Sequence, residues 1–268
     1  MKVRIIALIL ILVGFSSGQT IPKTMDASIN EAQRVWELAI KAKGGREKLY
    51  SIRNIQNSSV DYIYFGLKKV RHPQSLLVVY PDKMWSWDDY RPGVFGLQMR
   101  MYNYAVGKFY IAQEGDKAVK LKRIQRDELV SRRFFPRLIW LLMETRWQKP
   151  IPEKLTSARI KFRKVDVVQT RLNGNRIDFF LNRKTHLPIR VDFYNPNLGK
   201  EGEHLDVSGY LSKYYEQDGM MVPKKVDGVK QTYRFNVEYN EDIFKKAPLP
   251  VTKAANAWRK GWKNGVNR

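Results

Sequence analysis

The side chains that most often perform acid–base or metal chemistry are scattered through this 268-residue sequence. Its three histidines, His72, His186 and His204, lie in separate turn-like stretches, and none has a partner at the spacing of a metal site. Acidic residues are adjacent at Asp88 and Asp89, but neighbouring acids in a loop are ordinarily solvated rather than an acid–base pair. There is also no cysteine, no GxSxG elbow and no phosphate-binding glycine loop. The sequence therefore predicts a protein that is not an enzyme and that uses neither a metal nor a cofactor.

Aromatic residues and methionines are concentrated in the segment from 85 to 110. Flexible methionines and broad aromatic rings can line a cavity that accepts acyl chains of different shapes. The candidates for such a lipid cavity are Trp85, Trp87, Phe95, Met99, Met101, Tyr102, Tyr104 and Phe109. In a closed core the same side chains would pack against one another, and the sequence leaves both interpretations open.

A strongly apolar helix could cover this cavity. Pro136 suits the first turn of a helix that we predict from residue 134 to about residue 144. The residues of its apolar face, which are candidates for a lid, are Phe134, Phe135, Leu138, Ile139 and Leu142. Such a face must pack permanently on a sheet or reversibly over its mouth. Trp140 is off the strongest apolar stripe, so we expect it at the rim.

The rest of the chain must position these groups, and its pattern is mainly that of β-strands. Short apolar or alternating runs are separated by turn signals such as Asn173-Gly174 and Asp227-Gly228, which predict antiparallel strands joined by hairpins. We count roughly ten or eleven strands, with an amphipathic helix before them over residues 29–42. No strand-helix-strand alternation is present. The predicted fold class is therefore mainly β (α+β), with one large curved antiparallel sheet and helices on one face.

The first 18 residues have the order of a secretory signal peptide. Lys2 and Arg4 precede an apolar run over residues 5–13, and small residues follow up to Gly18. The apolar run is shorter than the roughly 20 residues that a membrane-spanning helix needs. We expect a protein that is soluble in the periplasm after cleavage, with one domain over residues 19–250 and a basic tail over residues 251–268.

The charge of the chain predicts anionic partners. The formal net charge is +23, and such an excess attracts anionic surfaces over long distances. Export argues against nucleic acid, which leaves an anionic membrane surface or an acidic polysaccharide as partner classes. Dispersed charges such as these are also typical of a solvated surface. Basic residues at the cavity mouth would attract an anionic headgroup, an effect that salt should weaken.

Four segments together resemble the LolA/LolB-like superfamily, especially its branch of outer-membrane lipoprotein-sorting proteins. They are residues 39–49 with their double glycine, the hairpin turn over 182–190 with its Leu-Pro step, residues 218–223, and residues 235–244 followed by Pro248. The resemblance implies an unclosed β-barrel whose concave face, covered by helices, holds acyl chains. It implies a periplasmic carrier of a lipid or a lipidated protein, with outer-membrane lipoprotein sorting as its most specific form. The alternative is a periplasmic sensor or protein-interaction module that uses the same fold without transporting lipid.

Overall fold

The computed structural model describes residues 23–65, 67–81, 83–88, 100–105, 109–114, 117–120, 135–195 and 204–244. The predicted signal peptide and the predicted tail from residue 251 lie outside these ranges, as do Phe95, Met99 and Phe134. Neither α1 (Lys23–Lys43) nor any other helix within the described ranges has the length and apolar character required to span a bilayer.

The described part of the chain is built mainly from strands. Its helices are α1, α2 (Arg46–Tyr50), α3 (Phe135–Leu142) and a short 3-10 helix (Glu241–Phe244). Its strands are β1 (Asn54–Phe65), β2 (Lys68–Val79), β3 (Lys83–Asp88), β4 (Arg100–Ala105), β5 (Phe109–Glu114), β6 (Lys117–Lys120), β7 (Ile151–Ile160), β8 (Arg163–Leu172), β9 (Asn175–Asn182), β10 (Pro188–Asn195), β11 (His204–Gln217), β12 (Met220–Val226) and β13 (Val229–Phe235).

All thirteen described strands belong to one antiparallel sheet, in the order β6-β5-β4-β3-β2-β1-β13-β12-β11-β10-β9-β8-β7. The edge strands β6 and β7 are not paired with each other, so the sheet is not closed into a barrel. The predicted fold class, an unclosed antiparallel sheet with a few helices, is confirmed. Pro152 lies near the start of β7, which tolerates a proline because it is an edge strand.

The three α-helices pack on one face of this sheet and form a single core with it. Trp36 of α1 is 2% exposed, and its ring meets Phe179 of β9 edge-on at 4.9 Å between centroids. Alternate residues of a strand point to the same face, so every second residue of the central strands enters this core. The core includes Ala32, Val35, Ala39, Ile40, Leu49, Ile139, Leu142, Val168, Ile177, Val191 and Met220.

The end of α1 is held closely against the turn between β11 and β12. Lys43 is completely buried, and its ammonium donates a hydrogen bond to the carbonyl of Met221. Burial lowers the pKa of Lys43 to about 7. Gly44 has a φ of 123°, and a Cβ placed there would lie 2.5 Å from the carbonyl oxygen of Gly219. Glycine is therefore required by both the backbone and the contact.

We expect Gly44→Ala to lower the free energy of unfolding by about 3 kcal/mol, since it adds a clash with a backbone oxygen to the strain of a positive φ. Urea unfolding measures the change. Gly174→Ala is the matched control: its φ is 83°, but no atom lies within 4 Å of its Cβ position. That variant should lose only about 1 kcal/mol, and equal losses in both variants would contradict the contact's importance.

Candidate functional site

A cavity of about 260 Å³ lies between α3 and the strands β1, β2, β11, β12 and β13. We call it the α3 cavity. Its lining residues are Ile55, Asn57, Ser59, Asp61, Gln74, Leu76, Val78, Trp140, Leu141, Leu211, Pro223, Val226, Asp227, Val229, Gln231 and Tyr233.

The polarity of the lining increases along β1. Ile55, Asn57, Ser59 and Asp61 occupy alternate positions of this strand and therefore share one face. The side chains become less buried in the same direction, from Ile55 at 3% exposed to Asp61, which is half-buried. The cavity thus has an apolar end at Ile55 and a polar end at Ser59 and Asp61, although Val226 and Val229 also line the polar end.

The strand register extends this gradient across the sheet. Ile55 lies opposite Val78 on β2, whereas Asn57 lies between Leu76 on β2 and Tyr233 on β13. The next row is entirely polar, because Ser59 lies between Gln74 and Gln231. The row of Ile55 is therefore apolar and the row of Ser59 is polar on all three strands, with the mixed row of Asn57 between them.

Hydrogen bonds between side chains fix the polar row. The amide nitrogen Nδ2 of Asn57 donates to Oε1 of Gln231 at 3.0 Å, and the hydroxyl of Ser59 donates to Oε1 of Gln74 at 3.5 Å. The NH₂ group of Gln231 also donates to the carbonyl of Val229 at 3.3 Å. These bonds hold the polar side chains of the row in place at the cavity wall.

Trp140 of α3 forms part of the cavity wall. Its side chain is 9% exposed, and its six-membered ring sits over Gly209, where a Cβ would lie 2.7 Å from the ring carbons. The indole Nε1 is buried without a hydrogen-bond partner in the described residues. The rim position expected from the sequence is thus wrong, because the missing side chain at residue 209 leaves room for the ring to pack inside.

The charged residues in the cavity lining are aspartates. Asp61 and Asp227 both lie towards the polar end, and Asp227 also accepts a hydrogen bond from the backbone nitrogen of Tyr210 at 2.8 Å. Lys225 and Lys230 are paired across β12 and β13 one position away from the lining pair Val226 and Val229, so they belong to the other face. The structure describes no basic residue in the lining of this cavity, and the expectation of basic residues at a cavity mouth stays a prediction.

Of the cavity candidates selected from the sequence, Trp85 lies outside the α3 cavity, and the side chains of the others are not described. Trp85 is 5% exposed and pairs with Leu77, on the sheet face opposite to Met84, Val78 and the α3 cavity. Trp87, Met101, Tyr102, Tyr104 and Phe109 occupy β3, β4 and β5, with Trp87 opposite Met101, but their side chains lie outside the described part. A cavity formed by these residues, together with Phe95 and Met99, stays a prediction.

Only some of the lid candidates have side chains that the structure describes. Ile139 and Leu142 of α3 are buried in the common core at 2% and 0% exposed. Phe135 and Leu138 belong to α3, but their side chains are not described, and Phe134 precedes the described helix. Movement of α3 therefore stays a prediction.

A buried carboxylate anchors the C-terminal end of α3. Glu144 accepts hydrogen bonds from Nε1 of Trp36 at 3.2 Å, from Nε of Arg46 at 2.9 Å and from the hydroxyl of Tyr50. Burial acts to raise the pKa of Glu144, but the hydrogen bonds from Arg46, Tyr50 and Trp36 outweigh it, so the pKa is lowered. We call these four residues the Glu144 cluster. Local sequence patterns do not indicate this cluster, because its members are separated by up to 108 positions.

Neither a protein-family model nor a curated protein sequence matches the chain. Among solved structures, a DUF1329 family protein from Desulfovibrio piger aligns with a TM-score of 0.47 at 11% identity, over 80% of this chain and 96% of that one. The LolA superfamily protein NE2245 from Nitrosomonas europaea aligns with a TM-score of 0.45 at 12% identity, over 80% of this chain and 97% of that one. A Vibrio parahaemolyticus domain, whose name assigns it to outer membrane lipoprotein sorting, aligns with a TM-score of 0.41 at 9% identity, over 82% and 97%. The latter two bear the names of the superfamily and branch that the sequence segments resemble. Function has to be argued from the cavity itself.

We expect Glu144→Gln to lower the free energy of unfolding by about 2 kcal/mol at neutral pH, because it weakens hydrogen bonds to a buried charge. The lowered pKa means that this stabilisation is complete above the unfolded-state pKa of about 4.3 and is lost as the pH falls through the folded-state value. Urea unfolding of both proteins across this pH range measures it.

Glu37→Gln is the matched control for that experiment. Glu37 also binds Arg46, at 2.8 Å, but its side chain is 57% exposed. Such an exposed ion pair should contribute less than about 1 kcal/mol. A loss in Glu37→Gln as large as that in Glu144→Gln would show that Arg46, and not burial of the Glu144 carboxylate, is the source of the stability.

Proposed function

We propose that this protein is an exported, non-enzymatic carrier or binding protein that holds the apolar chain of a lipid or a lipidated ligand in the α3 cavity. The observation that carries the proposal is the division of the lining into an apolar end and a polar end. An amphiphile matches this division. Its hydrocarbon would be buried between Trp140, Leu76 and Val78, at roughly 0.8 kcal/mol per CH₂.

The size of the cavity favours a single chain. Its volume of about 260 Å³ is below the roughly 300–1,000 Å³ of pockets that enclose whole drug-sized ligands. A ligand with several acyl chains would therefore require α3 to move outwards. Since the Glu144 cluster holds the C-terminal end of α3, such an opening would be a pivot about that end.

The polar end favours a neutral or cationic headgroup. Asp61 and Asp227 are the charged residues of the described lining, and the uncharged polar side chains of Gln74 and Gln231 lie beside them. A carboxylate headgroup would meet like charge, whereas an ammonium group would be attracted. The proposed ligand class is thus a single-chain amphiphile with an amine-bearing or uncharged head.

The sequence resemblance supports a finer proposal, in which the ligand is an acyl chain of a periplasmic lipoprotein that is sorted to the outer membrane. Purification from the native host and mass spectrometry of the extracted lipids test the proposal directly. A carrier should retain a lipid. A sensor or protein-interaction module of the same fold should be purified without one, and that outcome would overturn lipid binding.

We expect Ser59→Trp to weaken the binding of lysophosphatidylethanolamine at least about tenfold, because the indole would fill the polar end of the cavity. Isothermal titration calorimetry below the critical micelle concentration measures the affinity. Ser58→Trp is the matched control, since Ser58 is the adjacent residue on the opposite face of β1 and bonds Ser75 at 2.9 Å. Equal affinities in the two variants would place the ligand outside the α3 cavity.

We expect the double variant Asp61→Asn/Asp227→Asn to change headgroup preference. Two partly exposed charges should together contribute a severalfold effect, since each exposed pair is worth up to about 1 kcal/mol. Dodecylammonium should therefore bind severalfold more weakly to the variant, and dodecanoate should bind more tightly. Unchanged affinities for both would show that the headgroup does not lie near these aspartates.

A further inference from the structure

The hairpin between β7 and β8 has a fully exposed aromatic residue at its tip. Ile160 pairs with Arg163, so the turn consists of Lys161 and Phe162 alone. The exposure of Phe162 is 101%. Both turn residues have positive φ angles, 45° at Lys161 and 66° at Phe162. A positive φ is uncommon for a bulky side chain and is energetically unfavourable.

Three other hairpins of this sheet have the same two-residue turn with less backbone strain. Their two-residue turns are Asn173-Gly174, Asp218-Gly219 and Asp227-Gly228, with positive φ at both positions. Asparagine or aspartate followed by glycine is the low-strain solution for a turn of this kind. Only the turn at residues 161 and 162, among these four, replaces it with lysine and phenylalanine. An exposed phenylalanine in a strained conformation does not stabilise the fold, and residues held in strained conformations cluster at sites of function.

Positive charges surround the exposed ring. Arg159, Lys161, Arg163 and Lys164 are all exposed, and we call residues 159–164 the Phe162 tip. Lys184, in the turn between β9 and β10 at the same end of the strands, is also exposed. The nearest carboxylate along β8, Asp166, is already bound by Arg183 at 2.8 Å. An apolar side chain among cations matches a bilayer interface, where the ring enters the headgroup region and the cations meet anionic lipids.

We propose that the Phe162 tip is a membrane-docking element that inserts Phe162 into an anionic phospholipid bilayer. A soluble acidic polymer would satisfy the cations but would leave the ring in water. The surface is separate from the α3 cavity, because the turns of successive antiparallel hairpins alternate between the two ends of the strands, and Asp227 of the cavity lies in a turn of the other end. The proposal therefore does not depend on the proposed cargo.

Co-sedimentation with vesicles tests this proposal, using the protein purified as its host processes it. Vesicles of phosphatidylglycerol and phosphatidylcholine should bind it, high salt should weaken the binding, and phosphatidylcholine alone should bind it poorly. Phe162→Gly should weaken binding about tenfold without lowering Tm, since it installs the residue of the three other turns. Arg163→Gln and Lys164→Gln should each weaken it about fivefold. Phe162→Leu should restore most of the binding.

Ile151→Ser is the matched control, because Ile151 is a 64% exposed apolar residue at the start of β7, at the opposite end of that strand from the Phe162 tip and near the exposed Glu153. It should bind vesicles like the unmodified protein. The proposal is overturned if Phe162→Gly binds as well as the unmodified protein, if Ile151→Ser loses as much binding, or if the two vesicle compositions bind equally. Loss of a dimer in Phe162→Gly, without loss of vesicle binding, would also overturn it and identify a second copy as the partner. Binding of lysophosphatidylethanolamine should be unchanged in Phe162→Gly, which separates this test from that of the cavity.

Discussion

One buried carboxylate joins the helices to one another. The side chain of Glu144 follows α3 and accepts hydrogen bonds from Trp36 of α1 and from Arg46 and Tyr50 of α2. A carboxylate buried without such donors would be strongly unfavourable, so the three helices are stable in this arrangement only together. Trp36 also packs against Phe179, which extends the constraint to the sheet. The position of Trp140, and with it the wall of the α3 cavity, depends on this cluster.

The chemistry of the cavity follows from strand register in the same way. Asn57, Ser59 and Asp61 line the cavity, whereas Gln56 and Ser58 belong to the other face of β1. A shift of one residue between β1 and its neighbours would exchange these two sets and remove the polar row. Five paired residues between β1 and β13, from Ile55 to Ser59, hold the register where the row crosses to Gln231. The separation into an apolar and a polar end is therefore a property of the pairing rather than of any single side chain.

The fold was easier to predict from the sequence than the site. Helix α1 and the Asn-Gly and Asp-Gly hairpins carry local signals, namely helical periodicity and turn residues that accept a positive φ. The turn at Lys161 and Phe162 lacks such a signal. The α3 cavity could not be located because its polar residues on β1 have the same alternation as a solvent-facing strand, and only the packing of α3 shows which face is covered. Trp85 illustrates the converse, since an aromatic residue in a strand gives no information about which face of the sheet it occupies.

The pairing of β1 with β13 also determines the order in which the sheet can assemble during folding. Asn236, just after β13, accepts a hydrogen bond at its side-chain oxygen from the backbone nitrogen of Arg53, across 183 positions of sequence. Until the last strand has been synthesised, β1 has an open edge and the two halves of the sheet have no strand between them. Contacts of such long range slow folding and leave unpaired edges exposed in partly folded chains. The two meanders of the sheet, β1–β6 and β7–β12, can therefore be joined only once the last described strand is available.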